Sequence, residues 1–423
     1  MPNNHSPTLA AAVATVLSLT FSMTIAFPFA AQADELDKPV FSFAGYGTLG
    51  AVHSSTDQAD FVDSYLQARG AGYSGSWSTA VDSRLGLQAT ANFNPQWSAV
   101  LQVISQENYQ DSYRPSVEWA NVKYQATPDF SVRLGRVALP TFLTADYRNV
   151  GYAIPWVRTP GELYNLIPIT NSDGLDVRYR MHFGEATNTV QAEIGGGHVR
   201  VAQGGSVDFG AMHALTDTLE YGATTVRMTY LRANLDLDVA SAGPLFGAFS
   251  QFGPQGMAIV NRYAGNDVPI TFAGIGVSYD PGDWFVMAEV GNNNAHSYLG
   301  EKTAGYVTAG WRSGKWTPYA TYSQVDANSN RSDPGLPSAG LPPQLAYEVM
   351  ALDAGLNQLL GQIAVQKSVS LGLRWDFMKN ASLKTQLDLI RLGQGSPGDF
   401  QNAQPGFGGG HATAGSIVLD FVF

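Results

Sequence analysis

The sequence has no cysteine and few charged residues. Of its 423 residues only 14% are Asp, Glu, Lys or Arg, against about 25% in average proteins. The absence of Cys excludes disulfide frameworks and thiolate metal sites, and it suits a chain that crosses an oxidising compartment. So little charge argues against an ordinary soluble domain. The mean hydropathy of −0.08 also argues against a helical membrane protein, because transmembrane helices are strongly apolar.

Charge is missing altogether from the first 33 residues. An apolar run from Leu9 to Phe29 leads to Ala31-Gln32-Ala33, a small-x-small pattern typical of signal-peptide cleavage. We therefore predict a cleaved signal peptide over residues 1–33 and an outer-membrane domain over 34–423. The alternative is a retained anchor helix, because the run is long enough to span a bilayer. The amino-terminal region also lacks the usual Lys or Arg.

No second apolar run is suited to a transmembrane helix. The best remaining candidate runs from Leu345 to Val365 but contains Glu348 and Asp353, which are costly in hydrocarbon. We predict a short amphipathic helix or a packed loop there. The net charge of −11 argues against nucleic acid as a partner.

The chain does contain many segments in which polar and apolar residues alternate, the pattern of a β-strand with two different faces. Val369, Leu371 and Leu373, for example, alternate with Ser, Gly and Arg. Each segment is close to the 9–11 residues that a tilted strand needs to cross a bilayer. We predict sixteen strands, at 40–53, 83–93, 97–106, 117–126, 130–137, 174–183, 189–198, 206–214, 223–235, 271–280, 284–292, 303–312, 316–325, 367–377, 382–391 and 413–423.

The connections between these segments alternate between short and long. Outer-membrane barrels have short periplasmic turns and long external loops, whereas a soluble sandwich has no reason to collect its long loops at one end. The long connections are 54–82, 138–173, 236–270, 326–366 and 392–412. Aromatic residues beside the short turns fit an interfacial girdle: Phe93, Trp97, Phe130, Phe183, Tyr279, Trp284, Trp316, Phe377 and Phe423. The prediction is an all-β fold, a transmembrane antiparallel β-barrel of about sixteen strands.

Three segments resemble the Gram-negative trimeric outer-membrane porins. They are the opening Phe41-Ser42-Phe43-Ala44-Gly45-Tyr46-Gly47, the stretch Glu118–Tyr124 with Val132–Arg136, and the terminal strand Ile417-Val418-Leu419-Asp420-Phe421-Val422-Phe423. The last resembles the signal read by the barrel assembly machinery. The resemblance implies a sixteen-stranded barrel, a homotrimer, and a third long loop, the constriction loop 138–173, folded into the lumen.

A passive pore acts through its width and its electric field rather than through reacting groups. We predict a water-filled channel for passive diffusion of small hydrophilic solutes, favouring anions or carboxylates, with no enzyme activity and no cofactor. The seven His residues show no metal-ligand spacing. Expected partners are outer-membrane lipid and lipopolysaccharide, the assembly machinery through Phe423, and further copies of the chain. The alternative is a non-conducting barrel that acts as an adhesin or structural protein, or an outer-membrane hydrolase.

Strand parity predicts which charged side chains face the lumen. The constriction loop adds four charges, and a basic wall facing an acidic loop would orient dipolar solutes, unless the charges merely pair with one another. The loop candidates are Asp146, Arg148, Arg158 and Glu162. The acidic wall candidates are Asp176, Glu193, Asp208, Glu289, Asp376, Asp388 and Asp420. The basic pore-lining candidates are Arg84, Lys123, Arg133, Arg136, Arg178, Arg180, Arg227, Arg312, Arg374 and Lys384.

Two features do not fit a simple reading. Arg136 shares the face of Val132 and Leu134, where an Arg in lipid would cost about 2–4 kcal/mol. We predict a bulge or inward bend that turns Arg136 into the pore; alternatively it reaches the external interface. Gly45-x-Gly47-x-x-Gly50 fits a dinucleotide fingerprint but lies inside a predicted strand. These glycines are therefore predicted to relieve crowding on the barrel wall or at a subunit contact.

Overall fold

The alternating segments pair into one antiparallel sheet that closes on itself. The structure is a computed structural model that describes residues 39–202, 205–239 and 242–423. The predicted signal peptide, residues 1–33, lies outside the described residues. All strands but the two-residue β2 build the wall. They are β1 (Val40–Ser54), β2 (Trp77–Ser78), β3 (Arg84–Asn92), β4 (Trp97–Gln106), β5 (Ser116–Gln125), β6 (Phe130–Ala138), β7 (Asn171–Phe183), β8 (Ala186–Val201), β9 (Gly205–Tyr221), β10 (Thr224–Asp238), β11 (Val268–Tyr279), β12 (Trp284–Ala295), β13 (Lys302–Trp311), β14 (Trp316–Ala327), β15 (Gln366–Met378), β16 (Ala381–Leu392) and β17 (Gly410–Val422).

The barrel closes where β1 pairs with both β3 and β17. The β1–β17 register runs from Tyr46 opposite Val422 to Ser54 opposite Ala414. The predicted sixteen-stranded antiparallel barrel is therefore confirmed, and every predicted strand overlaps an observed one. The largest boundary differences are at β8 and β9, which run to 16 and 17 residues and form a longer hairpin than the predicted 189–198 and 206–214.

The two faces of the wall differ as the alternation requires. On β3 the outward Leu87 is 52% exposed, whereas its neighbour Gln88 turns inward and accepts a hydrogen bond from Gln102 Nε2 at 2.9 Å. The outer face is apolar, and aromatic side chains flank the short turns. Exposed members of the predicted girdle are Phe93, Trp97, Phe183, Tyr279, Trp284, Trp316 and Phe423.

The glycines of the first strand make room for the end of the chain. A Cβ on Gly45 would overlap the ring of Phe423, and one on Gly47 would overlap the ring of Phe421. The two Phe rings stack with their centroids 6.3 Å apart. Gly45 and Gly47 therefore relieve crowding at the closure of the barrel, as the sequence predicted, and no helix follows them.

Among the described residues, four α-helices lie in the long connections: α1 (Gly161–Tyr164), α2 (Ala242–Phe249), α3 (Gly253–Tyr263) and α4 (Pro343–Gly361). Of the two alternatives predicted for 345–365, a short amphipathic helix or a packed loop, the structure has the helix, α4, which is 19 residues long. Phe249, Leu356 and Leu360 are buried in the apolar core that α2 and α4 share. Within the described ranges, no helix has the length and apolar character needed to cross a membrane.

A buried carboxyl joins the connection after β4 to the connection after β1. Glu107 Oε1 accepts the backbone N–H of Arg69 at 3.0 Å, and the residue is 3% exposed. Burial, with Asp111 and Asp60 nearby, raises the pKa of Glu107 to about 7. Because burial disfavours the charged form, ionisation above that pH destabilises the buried position of Glu107, although the hydrogen bond from the Arg69 N–H itself favours the carboxylate.

The Glu107→Gln variant is expected to hold this contact at alkaline pH. At pH 8 the Arg69 amide should exchange its hydrogen more slowly in the variant than in the wild type, because Gln remains neutral. At pH 5 both side chains are neutral in the folded protein, so the two rates should agree. Hydrogen–deuterium exchange of the loop peptide measures this, and an equal difference at both pH values would contradict the assignment.

Candidate functional site

The long connection between β6 and β7 enters the barrel and crosses it. Its bounds are 139–170 rather than the predicted 138–173, because the two strands extend to Ala138 and from Asn171. Trp156 Nε1 donates to the hydroxyls of Thr308 and Thr321 at 2.9 and 3.1 Å. Both threonines face inward on the opposite wall. The third long loop therefore lies folded in the lumen, as predicted, and we call residues 139–170 the constriction loop.

Lys384 fixes the middle of this loop to the wall. The side chain is fully buried, and its Nζ donates to the backbone carbonyls of Gly151, Ile154 and Trp156 at 2.6, 2.9 and 2.8 Å. It also pairs with Asp420 at 3.0 Å. Lys384 does face inward, as parity predicted, but its charge is used to hold the constriction loop.

Arg374 acts on the same stretch of the loop. Its Nη1 donates to the carbonyls of Tyr152 and Ile154 at 2.8 and 3.2 Å, and its Nη2 pairs with Asp376 at 2.8 Å. Only 7% of its side chain is exposed. Arg374 therefore faces inward but presents almost no surface to a solute.

Two of the predicted constriction charges, Arg158 and Glu162, are also buried anchors. Arg158 donates to both oxygens of Asp82 at 2.9 and 2.8 Å and to Asp388 at 2.9 Å. Glu162 accepts from Ser323 at 2.7 Å and from Gln366 at 2.8 Å. Both side chains tie the loop to the wall, and Arg158 also ties it to the end of the first long connection.

An apolar cluster fills the remaining space on this side of the lumen. Phe142 and Tyr164 of the loop stack at 4.4 Å between ring centroids. The buried Glu289 of β12 accepts the Leu143 N–H at 2.8 Å and the hydroxyl of Tyr306 at 2.7 Å. The loop therefore packs against β12 and β13 through apolar contacts and against β14–β17 through polar and charged ones.

The opposite side of the loop faces a basic wall. The carboxylate of Asp146 lies 3.3 Å from Arg178 and 3.5 Å from Arg227. Burial would raise its pKa, but these two residues and Arg133 lower the pKa of Asp146 to about 2. The carboxylate therefore stays ionised at neutral pH, and the structure places it against the arginines that parity assigned to the lumen.

Side chains on this side keep contact with solvent. Arg178 is 31% exposed and Asp146 is 25% exposed, although both lie inside the barrel. Lys123 is half-buried and stands directly opposite Arg133 in the β5–β6 register. Arg180 is exposed, one inward position nearer the short turn. Water therefore reaches the lumen between the constriction loop and this wall.

The other predicted basic residues lie nearer the two ends of the barrel. Arg84 pairs with Asp63 of the first long connection at 3.0 Å. Arg148 of the constriction loop donates to the carbonyl of Pro168 at 2.9 Å. Arg312 lies beside a short turn and pairs with Asp280 at 2.6 Å.

The expectation that Arg136 turns into the pore is wrong. Arg136 is opposite Ala120, which is exposed on the outer face, and it pairs with Asp173 on the neighbouring strand at 2.7 Å. The backbone is irregular one residue earlier, where Gly135 has φ +123°, yet the side chain stays outside. The ion pair next to the long-loop end compensates the charge, so no inward bend is needed.

Parity also failed at Asp208. The β8–β9 register shifts between Gly195 and Gly197, and Ala211 of β9 has φ +47°. The shift exchanges the two faces, so Asp208 is exposed and contacts His198 at 2.7 Å. A single irregular residue in a strand cannot be read from alternation, because it changes the phase of the pattern without interrupting it.

Several residues of the lumen were not predicted at all. Asp82 and Asp63 come from the first long connection, and Glu118 sits at a register shift in β5. Loop residues have no parity, so no sequence signal identified them. In residues 39–202, 205–239 and 242–423, no group of three or more His, Asp or Glu side chains is placed to hold a metal ion.

Comparison with known proteins supports the architecture. No family model matches the sequence, and no curated protein matches it. The structure is similar to OmpF of Salmonella typhi in complex with daunomycin, with a TM-score of 0.54, 12% identity, and coverage of 90% of this chain and 97% of that chain. It is also similar to an OmpT variant lacking loop L8, an outer membrane protein of Vibrio cholerae, with a TM-score of 0.50, 13% identity, and coverage of 92% and 100%. The chain thus has the fold of the Gram-negative outer-membrane porins.

Proposed function

We propose that the chain is an outer-membrane porin, a water-filled channel for passive diffusion of small hydrophilic solutes. The observation that carries the proposal is the asymmetric filling of the lumen. Lys384 and Trp156 are buried where the constriction loop meets one wall, whereas Asp146 and Arg178 remain solvent-exposed on its other side. A loop that narrows a barrel without filling it leaves a passage whose width and charge set what passes.

The charges along this passage favour anions. The acids of the wall are withdrawn from solvent: Asp176 is fully buried and pairs with Arg133 at 2.7 Å, and Glu193 is 1% exposed. Charged side chains on the wall that keep contact with solvent include Lys123, Arg178 and Arg180, and nearer the short turn Glu220. Asp146, on the loop, opposes the basic residues. A solute therefore meets an excess of basic groups on the wall, which supports a preference for anions or carboxylates.

We further propose a location in the bacterial outer membrane after export through the periplasm, with residues 1–33 as the signal peptide. The apolar outer face and the aromatic residues at the short turns support a lipid environment. Homotrimer formation, contact with lipopolysaccharide and assembly through Phe423 are proposed from the resemblance to porins. The proposal includes no enzyme activity and no cofactor.

Solute uptake by liposomes tests the channel. The chain from Asp34 onward is refolded into lipid vesicles that are filled with a polymer too large to cross. In an isotonic monosaccharide the vesicles are expected to swell, and in an isotonic tetrasaccharide they should swell more slowly, because the loop limits the width. Folded protein that causes no swelling with either sugar would support the alternative of a non-conducting barrel.

A further inference from the structure

We propose that Arg133, Arg178 and Arg227 form a saturable binding site for solute carboxylates, and that Asp146 occupies it as an internal competitor. We call these three arginines the arginine cradle. This inference rests on the proposed channel and names the solute chemistry that the channel takes. It adds that carboxylates stop at one place in the passage, whereas a uniform field would only accelerate or retard them.

The contacts between the Asp146 carboxylate and the cradle are long. Its distances to Arg178 and Arg227 are 3.3 and 3.5 Å, whereas tight charge-assisted bonds between these groups are about 2.7–2.9 Å long. The segment around Asp146 is partly exposed, and 25% of the Asp146 side chain is exposed. A carboxylate from solution can therefore replace the side chain without breaking a short ion pair.

The cradle also holds donors that form no hydrogen bond within the described part of the protein. Arg133 Nη2 and Arg178 Nε are buried and have no hydrogen-bond partner among the described residues; Arg178 Nε lies 3.7 Å from Asp176, too far for a hydrogen bond. A guanidinium offers five N–H donors in a fixed plane that matches the two oxygens of a carboxylate. A solute carboxylate could accept hydrogen bonds from these donors, to which Asp146 is not bonded.

Two of the three arginines, Arg133 and Arg227, are held in place by other contacts, so this part of the site is preorganised. Arg133 Nε donates to the fully buried Asp176 at 2.7 Å. Arg227 Nη1 donates to the carbonyl of Phe142 at 2.6 Å and its Nε to Thr218 at 3.2 Å. Groups fixed before binding lose little entropy when the ligand arrives. The three arginines outnumber the two carboxylates beside them, Asp146 and Asp176, so the net charge of the site is positive, which favours an anionic ligand.

The Asp146→Asn variant tests the competitor directly. Single-channel or macroscopic current is measured against sodium acetate concentration at constant ionic strength, with chloride as the replaced anion. Wild-type current should saturate with acetate. The variant should saturate at a several-fold lower concentration, because Asn lacks the charge that competes for the arginines. Asp208→Asn removes the same charge far from the cradle and should leave half-saturation unchanged.

A second variant and a binding measurement keep the outcomes distinct. Arg227→Gln removes one of the three arginines of the cradle and should raise the acetate concentration at half-saturation. This variant tests the site even if Asp146→Asn does not fold. An anion-selective channel whose acetate current rises linearly would overturn the binding site and leave the porin function intact. If the refolded protein does not conduct at all, the porin function is contradicted, and the binding site is then tested by titrating the wild type and Arg227→Gln with acetate in a calorimeter. No heat of acetate binding, or equal acetate affinity of the wild type and Arg227→Gln, refutes the site.

Discussion

Replacing Lys384 with Met is expected to release the constriction loop and widen the pore. The ammonium holds three backbone carbonyls of the loop and pairs with the buried Asp420. Removing one member of a buried ion pair typically costs about 3–5 kcal/mol. The carbonyls of Gly151 and Trp156 also lose the ammonium as donor, and that of Ile154 keeps only Arg374. Single-channel conductance should rise, and sugars that the wild type excludes should enter liposomes.

The matched control is Lys123→Met, which removes the same side chain from the open side of the lumen. Lys123 touches the passage but does not hold the loop, so this variant should lower anion preference and leave the size limit unchanged. Folding of both variants is checked by the β-sheet signal in circular dichroism. If Lys384→Met folds and keeps the wild-type size limit, Lys384 does not position the loop.

A second large effect is expected on the outer face. Leu87→Arg should fold poorly in lipid, because a charged side chain at the middle of the wall costs about 2–4 kcal/mol. Gln88→Arg places the same side chain one residue later, in the lumen, and should fold normally while changing conduction. The folded fraction in lipid vesicles against urea concentration measures both. Equal stability of the two variants would mean that the faces of β3 are assigned incorrectly.

The strands and their faces could be predicted because alternation is local. Leu87 faces lipid and Gln88 faces the lumen because adjacent strand residues point to opposite faces, and the apolar and polar side chains identify which face is which. The same holds for Leu373 and Arg374. The prediction failed where a local irregularity changes the phase, as at Asp208 beyond the register shift. It also failed at Arg136, where the cost of an exposed charge was judged without knowing that Asp173 lies opposite.

What the charges in the lumen do could not be predicted, because it depends on contacts across the barrel. Lys384 and Arg374 were assigned to the correct face, yet both hold the backbone of a loop more than 200 residues earlier in the chain. Arg158 and Glu162 were assigned to the correct loop, but they face the packed wall. Of the four loop charges, Asp146 is the one that meets the arginines of the passage.

The reversal potential of the refolded chain tests the central claim most directly. A planar bilayer containing the protein from Asp34 onward separates two salt concentrations, and the potential at zero current is recorded. We predict conductance steps and a reversal potential whose sign shows selectivity for anions. Steps that occur in groups of three would agree with the proposed trimer. A cation-selective potential would contradict the basic passage, and folded protein without conductance would contradict the channel itself.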